Sequence, residues 1–213
     1  MISERRYNRN VAIIASCVFA VMPMSWLTRW IVLDSLLLPL LLSSILFALN
    51  KVDSTNDLKS KNDKVNNNRK VLSVLLSGIF LGLAIYTKIP AFTAMPLVGF
   101  LIFRNNKSWK TLGLWFIPVI IIPSLWPIQA TLSGDFGNWL QGVLDQTNRG
   151  SPLIYSINTF IHIDPVMFIL GFAALVYSSI RKDHFLLVWS IPVFIFLTVV
   201  GSISSFHLLL LLP

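Results

Sequence analysis

Long apolar runs separated by short basic blocks constrain this chain more than any other feature. The runs occupy about 11–27, 30–49, 71–87, 89–103, 111–128, 165–180 and 185–204. A helix crossing a hydrocarbon core about 30 Å thick needs roughly 20 apolar residues. Only 12% of the 213 residues are charged, and mean hydropathy is +0.73. A soluble domain carries roughly 25% charged residues, so too little polar surface is left to cover a globule in water. The pattern predicts an all-α membrane protein, a polytopic helical bundle of about seven transmembrane helices, with residues 1–213 forming a single transmembrane domain.

The net charge is +8. The cations stand in blocks between apolar runs, not in one interleaved patch, so no nucleic-acid partner is expected. The single cysteine, Cys17, can form no internal disulfide. No signal-peptide cleavage site is expected, because Thr28-Arg29-Trp30 follows the first run where small residues would stand.

Charges and prolines divide the runs. Arg29 separates the first two, since a charge is costly at the bilayer centre and settles at an interface. Lys88-Ile89-Pro90 separates the third and fourth, and Pro90 suits the first turn of a new helix. The run 89–103 is short for a span. Residues 207–213 read as the start of a further helix.

Lysine and arginine counts set the expected orientation. Arg5, Arg6, Arg9, Lys51, Lys59, Lys61, Lys64, Arg69, Lys70, Arg104, Lys107, Lys110, Arg181 and Lys182 fall on one side, fourteen of the 17 basic residues. Basic loops stay in the cytoplasm, so the N-terminus is expected inside. Residues 51–70, rich in Asn and Lys, read as a flexible cytoplasmic loop. Residues 129–163 read as an extracytoplasmic loop holding an interfacial helix. Asp135 can cap it, and Phe136, Trp139, Leu140, Val143 and Leu144 make its apolar stripe. Asp164-Pro165 supplies a cap and a first-turn proline for the next span. Gly78 and Gly82 form a GxxxG pair that permits close helix approach. The tryptophans near span ends read as aromatic belts, and Trp139 could also stack on a sugar.

The exceptions to the inside bias are the candidate site. Arg29, Lys88 and Arg149 are the only cations expected outside. Asp34 follows Arg29 by five residues, about 7.5 Å along a helix. His207 lies near the outer end of the last run. Cations around an outward cavity suit an anionic headgroup such as a lipid phosphate. The plainer alternative is that interfacial Arg and Lys snorkel to water, and that Asp34 only pairs with Arg29. No metal-ligand spacing, nucleophile elbow or glycine-rich phosphate loop is present.

Two stretches resemble a known family. Thr28-Arg29-Trp30-Ile31-Val32-Leu33-Asp34-Ser35 is similar to a stretch of protein O-mannosyltransferases. Gly82-Leu83-Ala84-Ile85-Tyr86-Thr87-Lys88-Ile89-Pro90 is similar to a stretch of their prokaryotic relatives, which include the lipid A aminoarabinose transferases. The closing 206–213 resembles their aromatic segment ending in Leu-Leu-Pro, without its tyrosines. The resemblance implies a GT-C type glycosyltransferase of the cell membrane. Its donor would be a polyprenyl or dolichyl phosphate sugar, with no covalently bound cofactor and the metal requirement left open. Its acceptor would be a protein, lipid or glycan on the outer face. It also implies that Arg29 and Lys88 bind the donor phosphate; Asp34, Arg149 and His207 are further cavity candidates from their placement in the sequence alone. The family's acidic catalytic pair belongs to an outer loop after a first span. This chain lacks that loop, so the catalytic residue is unknown, a general base is expected upstream, and a partial chain is expected. The sparse cysteine and the Asn- and Lys-rich loop fit an archaeal or bacterial source. A non-catalytic scaffold or pseudoenzyme and a transporter fragment remain the alternative readings.

Overall fold

A computed structural model describes residues 2–6, 8–21, 32–49, 63–148, 154, 157–158, 161–162, 164–182 and 184–200. Every regular element among them is helical. In chain order these are α1 (Ile2–Arg6), α2 (Arg9–Val21), α3 (Val32–Ala48) and α4 (Asp63–Thr87). A 3-10 segment (Ile89–Ala94) then leads to α5 (Met95–Asn106), α6 (Trp109–Leu132), α7 (Phe136–Asn148), α8 (Pro165–Arg181) and α9 (His184–Val200).

α4 is the central helix, and small residues seal two of its faces. On one face Ser44 Oγ donates to the Ser77 carbonyl at 2.8 Å, and Ser77 Oγ donates to the Ser44 carbonyl at 2.9 Å. Ser73 Oγ donates to the Phe47 carbonyl at 2.8 Å. Residue 44 thus meets 77 while 47 meets 73, so α3 and α4 run antiparallel. On another face lie Gly78 and Gly82. A Cβ on Gly78 would stand 2.7 Å from both Pro118 Cγ and the Trp115 carbonyl oxygen; one on Gly82 would stand 2.7 Å from the Pro118 carbonyl oxygen. The GxxxG pair therefore seats α6 directly against α4. Contacts rise together along both helices, so α4 and α6 run parallel. α5 runs back beside α6 in the opposite direction, since Gly99 faces Leu112 and Trp115 while the Phe103 ring meets Trp109 at a tilt. The core that results holds Leu41, Ile45, Leu81, Leu97, Ile102, Trp115 and Val119, all nearly inaccessible.

α6 carries Pro118, Pro123 and Pro127 inside the helix. Ser124 Oγ and Thr131 Oγ1 donate to the carbonyls of Ile120 and Pro127, four residues back. Such hydroxyls re-satisfy backbone that prolines loosen, which is how membrane helices tolerate them. The outer face of α6 exposes Ile117, Ile120, Ile121, Leu125 and Ile128 in an unbroken stripe. That stripe suits lipid, where apolar exposure has no cost, and not water.

Several boundaries differ from the sequence reading. Two stretches among the described residues, 68–87 and 109–132, are long and apolar enough to cross a membrane unaided; the apolar helices at 9–18, 36–48, 168–181 and 185–196 are shorter. α4 begins at Asp63, so residues 63–70 are helical. Extending an existing helix adds one hydrogen bond per residue fixed, which does not need apolar periodicity. α6 continues to Leu132, beyond the expected end at 128. The run 89–103 is not one helix but a 3-10 segment followed by α5, with Pro90 and Pro96 opening the two parts. Trp115 and Trp189 belong to the core and not to an aromatic belt, being 0% and 4% exposed. Gly78 and Gly99 leave the space that the Trp115 indole fills.

Candidate functional site

The helix directions sort the charges. Arg5 Nη1 donates to the Leu46 carbonyl at 3.5 Å, which puts the N-terminal helix at the C-terminal end of α3. Arg69 and Lys70 on α4, Arg104 and Lys107 closing α5, and Lys110 opening α6 share that end. Phe92 of the 3-10 segment meets Phe196 in the C-terminal half of α9, so the Arg181-Lys182 turn lies at the basic end too. Lys88 stands at the opposite end.

Lys88 is the junction between α4 and the 3-10 segment. Its backbone is extended (φ −154°, ψ 114°). Its N–H donates to the Ala84 carbonyl at 3.0 Å and ends α4, while its carbonyl accepts from Ala91 N–H at 3.0 Å and opens the 3-10 turn. Pro90 removes the N–H that would have continued α4. Thr87 Oγ1 and Thr93 Oγ1 donate to the Ala84 and Pro90 carbonyls at 2.7 and 2.8 Å, so both flanking turns are braced. The main chain at Lys88 is therefore fixed on both sides, and its side chain is half-buried.

Beside it, Tyr86 meets Trp126 of α6 edge-on, with ring centroids 5.7 Å apart. Trp126 lines a cleft of about 230 Å³ together with Gln129, Ala130, Ser133, Asp135 and Trp139. The cleft is built around a tight turn. Asp135 N–H reaches the Ala130 carbonyl at 2.9 Å, and Gly134 N–H reaches the Thr131 carbonyl at 3.2 Å. This is the paired closure that ends a helix on a left-handed glycine, and Gly134 has φ +78°. α7 starts immediately afterwards, with Trp139 N–H on the Asp135 carbonyl at 3.0 Å. Asn138 Nδ2 donates to Asp135 Oδ1 at 3.4 Å. Phe136, Leu140 and Leu144 of α7 are exposed, as an interfacial apolar stripe requires.

Of the candidate site residues singled out in the sequence, Lys88 is described, at the junction two residues after Tyr86, and it is not among the residues lining the cleft. Asp34 lies on the first turn of α3, where the structure describes the backbone only. Arg29, Arg149 and His207 lie outside the described residues. Gln129 and Ser133 were not singled out. Their only signal was the Ser133-Gly134-Asp135 sequence, a helix stop followed by a helix cap.

Residues 2–132 match the protein family described as dolichyl-phosphate-mannose-protein mannosyltransferase. The chain belongs to this family. The match runs from α1 to the last residue of α6, so it includes Lys88, Tyr86 and the Trp126 wall of the cleft. The mannosyltransferase family is one of integral membrane glycosyltransferases. No curated protein and no solved structure matches the chain.

Proposed function

We propose that this chain is the membrane core of a mannosyltransferase. It takes mannose from dolichyl phosphate mannose and passes it to a protein hydroxyl at the extracytoplasmic face of the cell membrane. The observation that carries this reading is the family match over residues 2–132, with Lys88 inside it. The helix directions support the sidedness, because the basic residues gather at one end and Lys88 stands at the other. Basic ends stay cytoplasmic, which leaves Lys88 outside.

The crossing count in this reading is seven. The weakest span is helped by its 3-10 segment. Six residues at about 2.0 Å and twelve at about 1.5 Å give roughly 30 Å of contour, enough for a hydrocarbon core.

Lys88 and Arg29 hold the donor phosphate, and Asp34, Arg149 and His207 complete the outer cavity. In the reaction the bond between mannose C1 and the phosphate oxygen breaks, and the phosphate keeps the electron pair. The acceptor oxygen forms the new C1–O bond, and its proton passes to the departing dolichyl phosphate, which has gained the electron pair. Negative charge grows on the leaving phosphate, so fixed cations favour the transition state over the ground state. Lys88 brings its ammonium to this reaction from a helix end whose main chain is fixed.

The test is mannose transfer from dolichyl phosphate mannose to a serine- and threonine-containing peptide in liposomes. Cysteines introduced at Asn138 and Lys107 in a Cys17→Ser background report sidedness. Transfer, with labelling of Asn138 and not Lys107 from outside, is expected. Labelling of Lys107 alone would reverse the orientation and remove the donor site from the outer face.

A further inference from the structure

The cleft between α6 and α7 has chemistry that phosphate binding does not use. It has two indoles, Trp126 and Trp139, as apolar walls. It has an amide, a hydroxyl and a carboxylate in Gln129, Ser133 and Asp135. The Trp139 indole N–H is shielded within the protein, so an occupant meets the Trp139 ring and not its N–H. Gln129 carries the amide donor, so an occupant that engages it must offer an oxygen acceptor. Asp135 is an acceptor only when ionised, so the occupant must also offer an O–H donor. The paired indoles require an apolar face. A hydrocarbon tail lacks the oxygens, and a phosphate lacks both the apolar face and a reason to sit beside Asp135. A hexopyranose ring has hydroxyls around its rim and C–H groups on its face.

We propose that this cleft is a hexopyranose subsite, resting on the mannosyltransferase reading above. Trp126 joins it to the Lys88 end through Tyr86. The sugar of the lipid donor is thereby placed next to the helix end that holds its phosphate. A mannose already attached to an acceptor peptide has the same chemistry. The Gly134 turn sets the cleft, because it fixes α7 against the end of α6 on both sides of the binding residues.

The experiment uses the full chain in nanodiscs and measures equilibrium binding of dolichyl phosphate mannose, dolichyl phosphate and a mannosylated peptide. Wild type is expected to bind the sugar-bearing lipid about tenfold more tightly than dolichyl phosphate, since a site built for hydroxyls discriminates against analogues lacking them. Trp139→Ala and, separately, Asp135→Asn should abolish that ratio while leaving dolichyl phosphate affinity unchanged, which also shows that the variants fold. Trp139→Phe keeps a smaller ring face and should lose part of the ratio. Trp109→Phe, at the basic end, should lose none. If the ratio survives in Trp139→Ala but mannosylated-peptide binding disappears, the ring belongs to the acceptor and the subsite stands. If both survive in Trp139→Ala and Asp135→Asn, the subsite is refuted and the donor reading is untouched. If wild type binds neither lipid, the donor reading fails, and mannosylated-peptide binding alone decides the cleft: lost in Trp139→Ala, it upholds the subsite; unchanged or absent in wild type, it refutes it.

Discussion

At one end of the bundle the chain turns on Lys107 and Lys182, both left-handed at φ 48° and 53°; at the other it turns on Gly134, at φ 78°. Left-handed backbone is cheap for glycine and costs other residues about 1–2 kcal/mol. The basic end accepts that cost at two turns and keeps its charges there. The Gly134 end uses glycine, and it devotes its polar side chains to a cleft and to the Lys88 junction. The two ends share the same central helices, yet one gathers basic residues and the other a cleft, and in the function proposed above the first stays cytoplasmic while the second binds. The difference teaches that a helical bundle can be one rigid frame with separable duties at its ends.

The largest effect should come from breaking the frame that both ends share. A Gly82→Leu side chain would drive into the Pro118 backbone, which cannot step aside as a flexible side chain does. Overpacking of this kind costs about 3 kcal/mol. Thermal unfolding in detergent should fall by several degrees, and both ends should lose function together. Retained stability would mean that α4 and α6 are not in the contact described.

A site-specific effect comes next. Arg29 and Asp34, if paired at the outer end, should couple by about 1–3 kcal/mol in a double-mutant cycle read on transfer rate. Removing Arg29 alone leaves a carboxylate without its partner, which is worse than losing both. Additive losses for Arg29→Ala and Asp34→Ala would separate them.

Ser77→Ala removes one of two reciprocal serine bonds between α3 and α4. Interhelical hydrogen bonds in membranes average about 0.6 kcal/mol, so a loss of that size is expected in denaturation by detergent exchange. A loss several times larger would show that the serines, and not the packing around them, hold α3 in place. The smallest shift belongs to Lys107→Gly. It should stabilise by no more than about 1 kcal/mol, because relief of left-handed backbone is partly offset by a freer unfolded chain. Marked destabilisation would mean that the lysine side chain does more than occupy a turn.

Much of this was legible in the sequence, and the reasons are physical. The GxxxG spacing announced a close helix approach at Gly78 and Gly82 because only a missing Cβ allows it. Lys88-Ile89-Pro90 announced the break after α4 because proline lacks the N–H. Asp135 and the apolar stripe behind it announced α7. Ser44 and Ser77 were not legible as a pair, since residues 33 apart in two apolar runs give no local sign of meeting. Trp115, one of the tryptophans near a span end, reads as an aromatic-belt residue in the sequence, because its core position depends on glycines on two other helices. The cleft was out of reach for a similar reason. Its residues come from the end of one helix and the start of the next, and only the closure at Gly134 brings them together.

The central claim is that the two ends divide the work, with the donor phosphate at Lys88. It is tested most directly by mannose transfer from dolichyl phosphate mannose in liposomes, at matched protein levels, for Lys88→Ala beside Lys107→Ala. Loss of a fixed cation facing a growing negative charge costs about 100-fold in rate, or roughly 2.7 kcal/mol. The account predicts that loss for Lys88→Ala, partial recovery for Lys88→Arg, whose planar fork is not a point charge, and near wild-type transfer for Lys107→Ala. Equal activity of Lys88→Ala and Lys107→Ala would contradict it.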